Sequence, residues 1–147
     1  KHLNDLKLGI AGVPQARDAN KADIVVLFVS DANPDASGLA FVEANDGTAF
    51  GVVQSTSAPA SLTVCHEIGH VLGLCHDPDN ADQSCSGRVK PYAFGYRNHS
   101  RDIYTVMAIG NRFARKRYSG PPDFGSSNQN HSARRIKERA NQVASFR

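Results

Sequence analysis

Apolar and polar positions along this chain follow two different periods. Ile24-Val25-Val26-Leu27-Phe28-Val29 is a short, continuous apolar run rich in β-branched residues. A run without alternation predicts a strand buried on both faces, inside a parallel sheet. Leu39-Ala40-Phe41-Val42-Glu43 and Thr48-Ala49-Phe50-Gly51-Val52-Val53-Gln54 read as two further strands. Asn45-Asp46-Gly47 between them is a strong turn signal, so the pair reads as an antiparallel hairpin. Ahead of all three, residues 14–20 read as the end of a helix.

Helical spacing takes over at residues 61–73. Val64, Ile68, Val71 and Leu72 form one apolar face, and Ser61 suits the N-cap. Gly73 suits the stop, because glycine enters the left-handed conformation at little cost. Residues 75–122 are rich in Gly, Pro, Asn and Ser and read mostly as turns. A second helix is expected over 132–145. Ala133, Ile136, Ala140 and Val143 make its packing stripe, with Arg134, Arg135, Lys137, Glu138 and Arg139 facing mostly outward.

Composition places limits on this picture. At 147 residues with 40% apolar and 21% charged residues, the chain suits one globular domain over 1–147. No stretch approaches eighteen consecutive apolar residues, so no membrane partner is expected. The chain starts at Lys1 and carries no signal-peptide pattern, as a processed chain or a fragment would. Net charge is +3, but residues 1–87 carry 4 basic and 11 acidic groups and residues 88–147 carry 13 and 3. The run Arg112-Phe113-Ala114-Arg115-Lys116-Arg117 suits either a solvated face or an anionic partner. No zinc-finger spacing, KH loop or RRM signature accompanies it, so nucleic acid is an unlikely partner. Cys75 and Cys85 bracket a polar loop and suit a disulfide, whereas Cys65 reads as a small buried side chain.

The chemistry concentrates in His66-Glu67-Ile68-Gly69-His70 and the seven residues after it. His66 and His70, four apart on a helix, project from the same side and can share one zinc ion. Gly73 permits a sharp turn, so that His76 can return as a third ligand. Three protein ligands leave one position open, which is the catalytic rather than the structural arrangement. Glu67 is placed to act as general base. A chance match to five such positions in a chain this long is on the order of one in twenty thousand. A structural zinc on Cys65, Cys75 or Cys85 is the weaker alternative, because these cysteines form no CxxC pair.

HEIGHVLGLCHD, residues 66–77, resembles the extended zinc motif of the metzincin metallopeptidases. Asp77 directly after the third His resembles the reprolysin/adamalysin branch. Gly95-Tyr96-Arg97 and Tyr104-Thr105-Val106-Met107-Ala108 resemble that group's Met-turn, and the sole Met falls there, 31 residues after His76. The tail from Arg135-Ile136 to Phe146-Arg147 is similar to the C-terminal helix of secreted bacterial members. The resemblance covers residues 15–147.

It implies an α/β (α+β) fold: a twisted, mostly parallel sheet with an antiparallel edge strand, a zinc-binding helix, and an irregular lower part. The upper part would span about 1–73 and the lower about 74–147, with the first strand, backing helix and second strand missing or reduced. It implies one catalytic zinc on His66, His70 and His76, with calcium left open. Met107 would form an apolar floor, and Asp77 would fix the loop or accept a hydrogen bond from an imidazole. Leu39, Ala40 and Phe41 would pair with an extended substrate. Arg112 or Arg115, turned inward, would favour Asp or Glu just after the cleaved bond. Ile109 stands where several metzincins carry a Tyr. The expected function is therefore a secreted, monomeric zinc endopeptidase acting on protein or peptide. The alternatives are a catalytically impaired zinc-binding module and a basic nucleic-acid-binding protein.

Overall fold

In the computed structural model, residues 2–30, 36–56, 60–82, 85, 87, 89–110 and 115–147 are described, with backbone only at 11, 60 and 61. Two short helices lead into the sheet. Helix α1 (His2–Lys7) buries Leu6, which meets Phe50 and Val52. A single 3-10 turn (Ile10–Gly12) passes to α2 (Val13–Ala19), which opens with Pro14 in its first turn. Proline is tolerated there because first-turn N–H groups have no helical partner.

Three strands form a mixed sheet in the order β1 (Val25–Val29), β3 (Phe50–Gln54), β2 (Gly38–Ala40). Strand β1 runs parallel to β3, with Leu27 opposite Val52; β2 runs antiparallel to it, with Leu39 opposite Val52 on the other side. The expectation that residues 24–29 are buried on both faces is corrected. They form an edge strand, and Phe28 is 53% exposed. The interior position belongs to β3, four of whose five residues are buried. An apolar run reports side-chain burial on average; it does not say how many strands pair with it. One face of β1 does pack, with Val25, Leu27 and Val29 joining Leu3 and Val13 against the cluster of Leu6, Phe50 and Val52.

Strands β2 and β3 pair antiparallel as expected, but no tight hairpin joins them. Asn45 and Gly47 do form a turn, in which Asn45 Oδ1 accepts from the Gly47 N–H at 3.0 Å. It lies within a longer connection. After Ala40 the chain leaves the sheet, and the N–H groups of Glu43 and Ala44 donate to the His70 and Val71 carbonyls at 2.9 and 3.1 Å. Those carbonyls sit at the C-terminus of α3 (Ala60–Val71), where no intrahelical donor reaches them. The loop therefore caps the helix rather than extending the sheet.

Helix α3 packs on β2 and β3. Gly73 ends it with φ +79°, as its position predicted. Below, a two-stranded ladder of β4 (Arg97–Asn98) and β5 (Ile103–Tyr104) precedes the final helix, α4 (Ser132–Val143). Of the expected α4 stripe, Ile136 packs on the core and Val143 is buried, but Ala140 is exposed, and Arg135 and Arg139, expected to face outward, are buried. Arg135 pairs with Glu43 at 2.6 Å, and Arg139 donates to the Ala44 carbonyl at 2.6 Å. The surface beneath α4 is the polar loop that caps α3, so arginine fits there better than an aliphatic side chain. No helix among the described residues is long and apolar enough to cross a membrane.

Candidate metal centre

His66 and His70 leave α3 on the same side, one turn apart, and His76 returns after the Gly73 turn. Their Nε2 atoms form a triangle with sides of 3.0, 3.1 and 3.1 Å. Each Nδ1 faces a backbone carbonyl: Val106 for His66 at 2.8 Å, Leu74 for His70 at 2.9 Å, Asn80 for His76 at 3.4 Å. A nitrogen facing a carbonyl must carry the proton, so each Nε2 presents a bare lone pair. Three lone pairs converging without a shared proton repel each other unless a cation lies between them. Tetrahedral nitrogen ligands of zinc stand about 3.4 Å apart, close to this triangle. The donor set thus fits a zinc-type ion, and no other group of metal-ligating side chains was found among the described residues.

Burial keeps the imidazoles neutral, which ligation requires. Desolvation pushes His66 down to about 4 and His70 to about 3, with neighbouring imidazoles adding to the effect. His76 is lowered for the same primary reason. Glu67 is buried too, and desolvation pushes its carboxyl up to about 8. Its Oε2 has no hydrogen-bond partner among the described residues.

Gly38 is what admits the Glu67 side chain. A Cβ there would lie 2.8 Å from Glu67 Cδ and closer still to Oε1. Sequence reading missed Gly38, because nothing local marks a glycine that matters only to a helix nearly thirty residues away. The three carbonyls that orient the imidazoles were missed for a similar reason, since a backbone acceptor leaves no trace in residue type.

Met107 is wholly buried below α3, its sulfur lying where a Cβ on Gly69 would stand. Leu74, Ala93 and Val106 complete that cluster. Asp77 is fully buried and accepts from Asn80 Nδ2 at 2.9 and 3.0 Å and from the Ile109 N–H at 2.9 Å. Of its two expected roles it takes the first, fixing the loop, while the imidazole protons go to backbone carbonyls. Cys75 and Cys85 form a disulfide with Cα atoms 6.0 Å apart, closing the loop that carries His76. Cys65, expected to be buried, is a free and exposed thiol on the outer side of α3. An apolar neighbourhood in sequence did not place it on the apolar face.

A cleft of about 580 Å³ opens over the triad, lined by Gly38, Leu39 and Ala40 on one side and Val106, Ala108, Ile109 and Gly110 on the other. Phe41 is not part of it; that ring packs beside Ala44, Ala49 and Val71. Arg115 is exposed and does not line the cleft, and Arg112 lies outside the described residues. Tyr104 is buried beneath Gly110, with the Arg97 guanidinium 5.2 Å from its ring, and does not line the cleft either.

Known proteins offer two points of likeness. No curated protein matches the chain. A solved structure titled "Structure of a chaperone-substrate complex" superposes with a TM-score of 0.76 at 18% identity, covering 98% of this chain. At that identity the likeness is one of fold. The chain spans about a quarter (24%) of that structure's length. A reprolysin model of metallo-peptidase family M12, a zinc-dependent family, matches residues 2–119. Since that match takes in the sheet, the three imidazoles and Met107 together, the chain belongs to metallo-peptidase family M12.

Proposed function

We propose that this chain is a secreted zinc endopeptidase of the reprolysin-like, metzincin type, in which Glu67 is the general base. The observation that carries the reading is the convergence of three bare Nε2 atoms beside a buried carboxylate that is not one of the ligands. His66, His70 and His76 would hold the ion. Zinc held there supplies Lewis acidity toward water and the scissile carbonyl.

The chain's own residues supply the rest. Glu67 takes the proton of the attacking water on its carboxylate and passes it to the leaving amine nitrogen. The Val106, Leu74 and Asn80 carbonyls hold the three rings in one tautomer and orientation. Met107 provides a rigid apolar floor. Asp77 ties the loop of His76 to the turn at Ile109.

The outer edge of β2, which pairs with no further strand among the described residues, would receive the substrate. The Gln54 N–H donates to the Ser37 carbonyl. By the alternation of an antiparallel ladder, Leu39 faces β3, and the backbone groups of Gly38 and Ala40 face outward into the cleft. An extended peptide can add there as a further strand. The Cys75–Cys85 disulfide supports an oxidising, extracellular setting. The preference for an acidic side chain after the cleaved bond draws nothing from Arg115, which is exposed, and rests on Arg112.

The test is cleavage of casein. Expected are one zinc per chain, activity lost to a chelator, and activity abolished in Glu67→Ala with zinc retained. Zinc retained with no cleavage by the unmodified chain would make it a binding module. Absence of stoichiometric zinc would overturn the reading.

A further inference from the structure

The three rings of the metal centre are held by different parts of the chain. His70 sits at the end of α3 that the 43–44 loop caps, and His76 sits on the disulfide-closed loop. His66 leaves α3 a turn before that cap, and its Nδ1 reaches the Val106 carbonyl, 40 positions along the chain. The segment Arg117-Tyr118 meets both ends of that bond. The Tyr118 hydroxyl donates to the Cys65 carbonyl at 2.7 Å, in the peptide that enters His66. A backbone carbonyl has two lone pairs, so it can accept this bond beside its helical one. One residue earlier, the Arg117 carbonyl accepts the Val106 N–H at 3.0 Å. The Tyr118 ring is partly buried and packs against the cluster that holds Val106 and Met107. Hydroxyl, ring and neighbouring peptide thus fix the donor and the acceptor of the His66 bond against one another. Tyr118 does not line the cleft.

We propose that Tyr118 is a positioning residue of the metal centre, which holds His66 in register with the Val106 carbonyl and so aims its Nε2 at the shared ion. The proposal rests on the peptidase reading for the ion, but not for cleavage. An imidazole whose Nδ1–H loses its alignment changes both the direction and the basicity of its ligating nitrogen. Loss of the hydroxyl should therefore tell on the geometry and release of the bound ion, and leave substrate affinity alone.

The test compares Tyr118→Phe with the unmodified chain and with Tyr92→Phe, each loaded with cobalt(II) and, separately, with zinc. Tyr92→Phe is the control. It too deletes one phenol hydrogen bond, to Glu138 on α4, a helix that carries no ligand of the ion. In Tyr118→Phe the visible cobalt absorption should shift or weaken, and zinc should pass to an excess of chelator roughly three- to tenfold faster. With peptide substrate, kcat should fall while KM holds. Tyr92→Phe should match the unmodified chain in each measurement. A cobalt spectrum and release rate unchanged in Tyr118→Phe overturn the proposal, as do equal changes in Tyr92→Phe. A Tyr118→Phe chain that fails to fold overturns it too, by making the hydroxyl a requirement of the fold at large. Cobalt and release effects confined to Tyr118→Phe, with no cleavage by the unmodified chain, would sink the peptidase reading and leave the role of Tyr118 standing. An unmodified chain that binds neither ion would sink both.

Discussion

Glu67 meets two opposing demands. Its proposed chemistry needs a carboxylate in a nearly dry site, and burial disfavours the ionised form, pushing the group up to about 8. In chelator-treated protein at pH 7.5, Glu67→Gln should therefore stabilise the fold by on the order of 1–3 kcal/mol. It should also abolish hydrolysis. A thermal melt unchanged or lowered by the substitution would contradict this account of the site. Gly38 bears on the same carboxylate from the opposite strand. Gly38→Ala places a methyl group 2.8 Å from Glu67 Cδ. We expect kcat to drop on the order of 10- to 100-fold while zinc stoichiometry holds, because a base displaced by about 1 Å loses its proton-transfer geometry. Metal analysis beside steady-state kinetics checks this. Loss of zinc together with activity would mean that the glycine serves the fold instead.

Elements supply the rigidity that these residues require. The C-terminus of α3 carries His70, and the 43–44 loop caps it. Arg135 and Arg139 of α4 pin that loop through Glu43 and the Ala44 carbonyl. Arg135→Met should cost about 2 kcal/mol in urea unfolding, since it leaves Glu43 half-buried without its partner. Arg135→Lys should restore only part of this, lacking the planar fork. A loss below measurement would show that the loop holds its place unaided. The disulfide acts on the next loop. Replacing Cys75 and Cys85 together by Ser opens a ten-residue separation. It should lower stability by ~3 kcal/mol on chain-entropy grounds. Zinc should also leave faster, because His76 rides on that loop. A calorimetric melt and a zinc-release rate report the two effects independently.

For the whole molecule, the buried triad and Glu67 set the response to pH in opposite senses. Folded His66 and His70 refuse protons until about pH 4 and 3. The unfolded chain accepts them near 6.5. Their contribution is therefore fully present above 6.5 and drains away as pH falls toward 4. Glu67 holds its proton to about 8 in the folded state, so its burden grows as pH rises from 4.5 to 8. Two imidazoles outweigh one carboxyl until the unfolded histidines are half-protonated, so chelator-treated protein should melt highest near pH 6.5 and lower on either side. A profile flat from pH 4 to 8 would contradict both assignments.

The sequence by itself determined the metal-binding register and the floor beneath it. His66, His70 and His76 are close in the chain, and helical pitch plus one glycine turn bring them together by local geometry. Met107 was legible because it is the sole methionine and falls in a motif. The Cys75–Cys85 bridge and the direction of each strand pair were legible too, since short spacings limit what a chain can do. Tertiary structure decided everything set by partners distant in sequence. It made β1 an edge and β3 the centre, and drew residues 43–44 out of the expected hairpin to cap α3. It buried Arg135 and Arg139, which were expected to face outward, and it turned Cys65 outward and Phe41 against the core. It also brought Gly38 against Glu67. The physical reason is one of range. Periodicity and spacing record what a residue needs within a few turns of its own element. The number of strands beside a strand, or the side chain that fills the space over a glycine, depends on chain segments that no local pattern specifies.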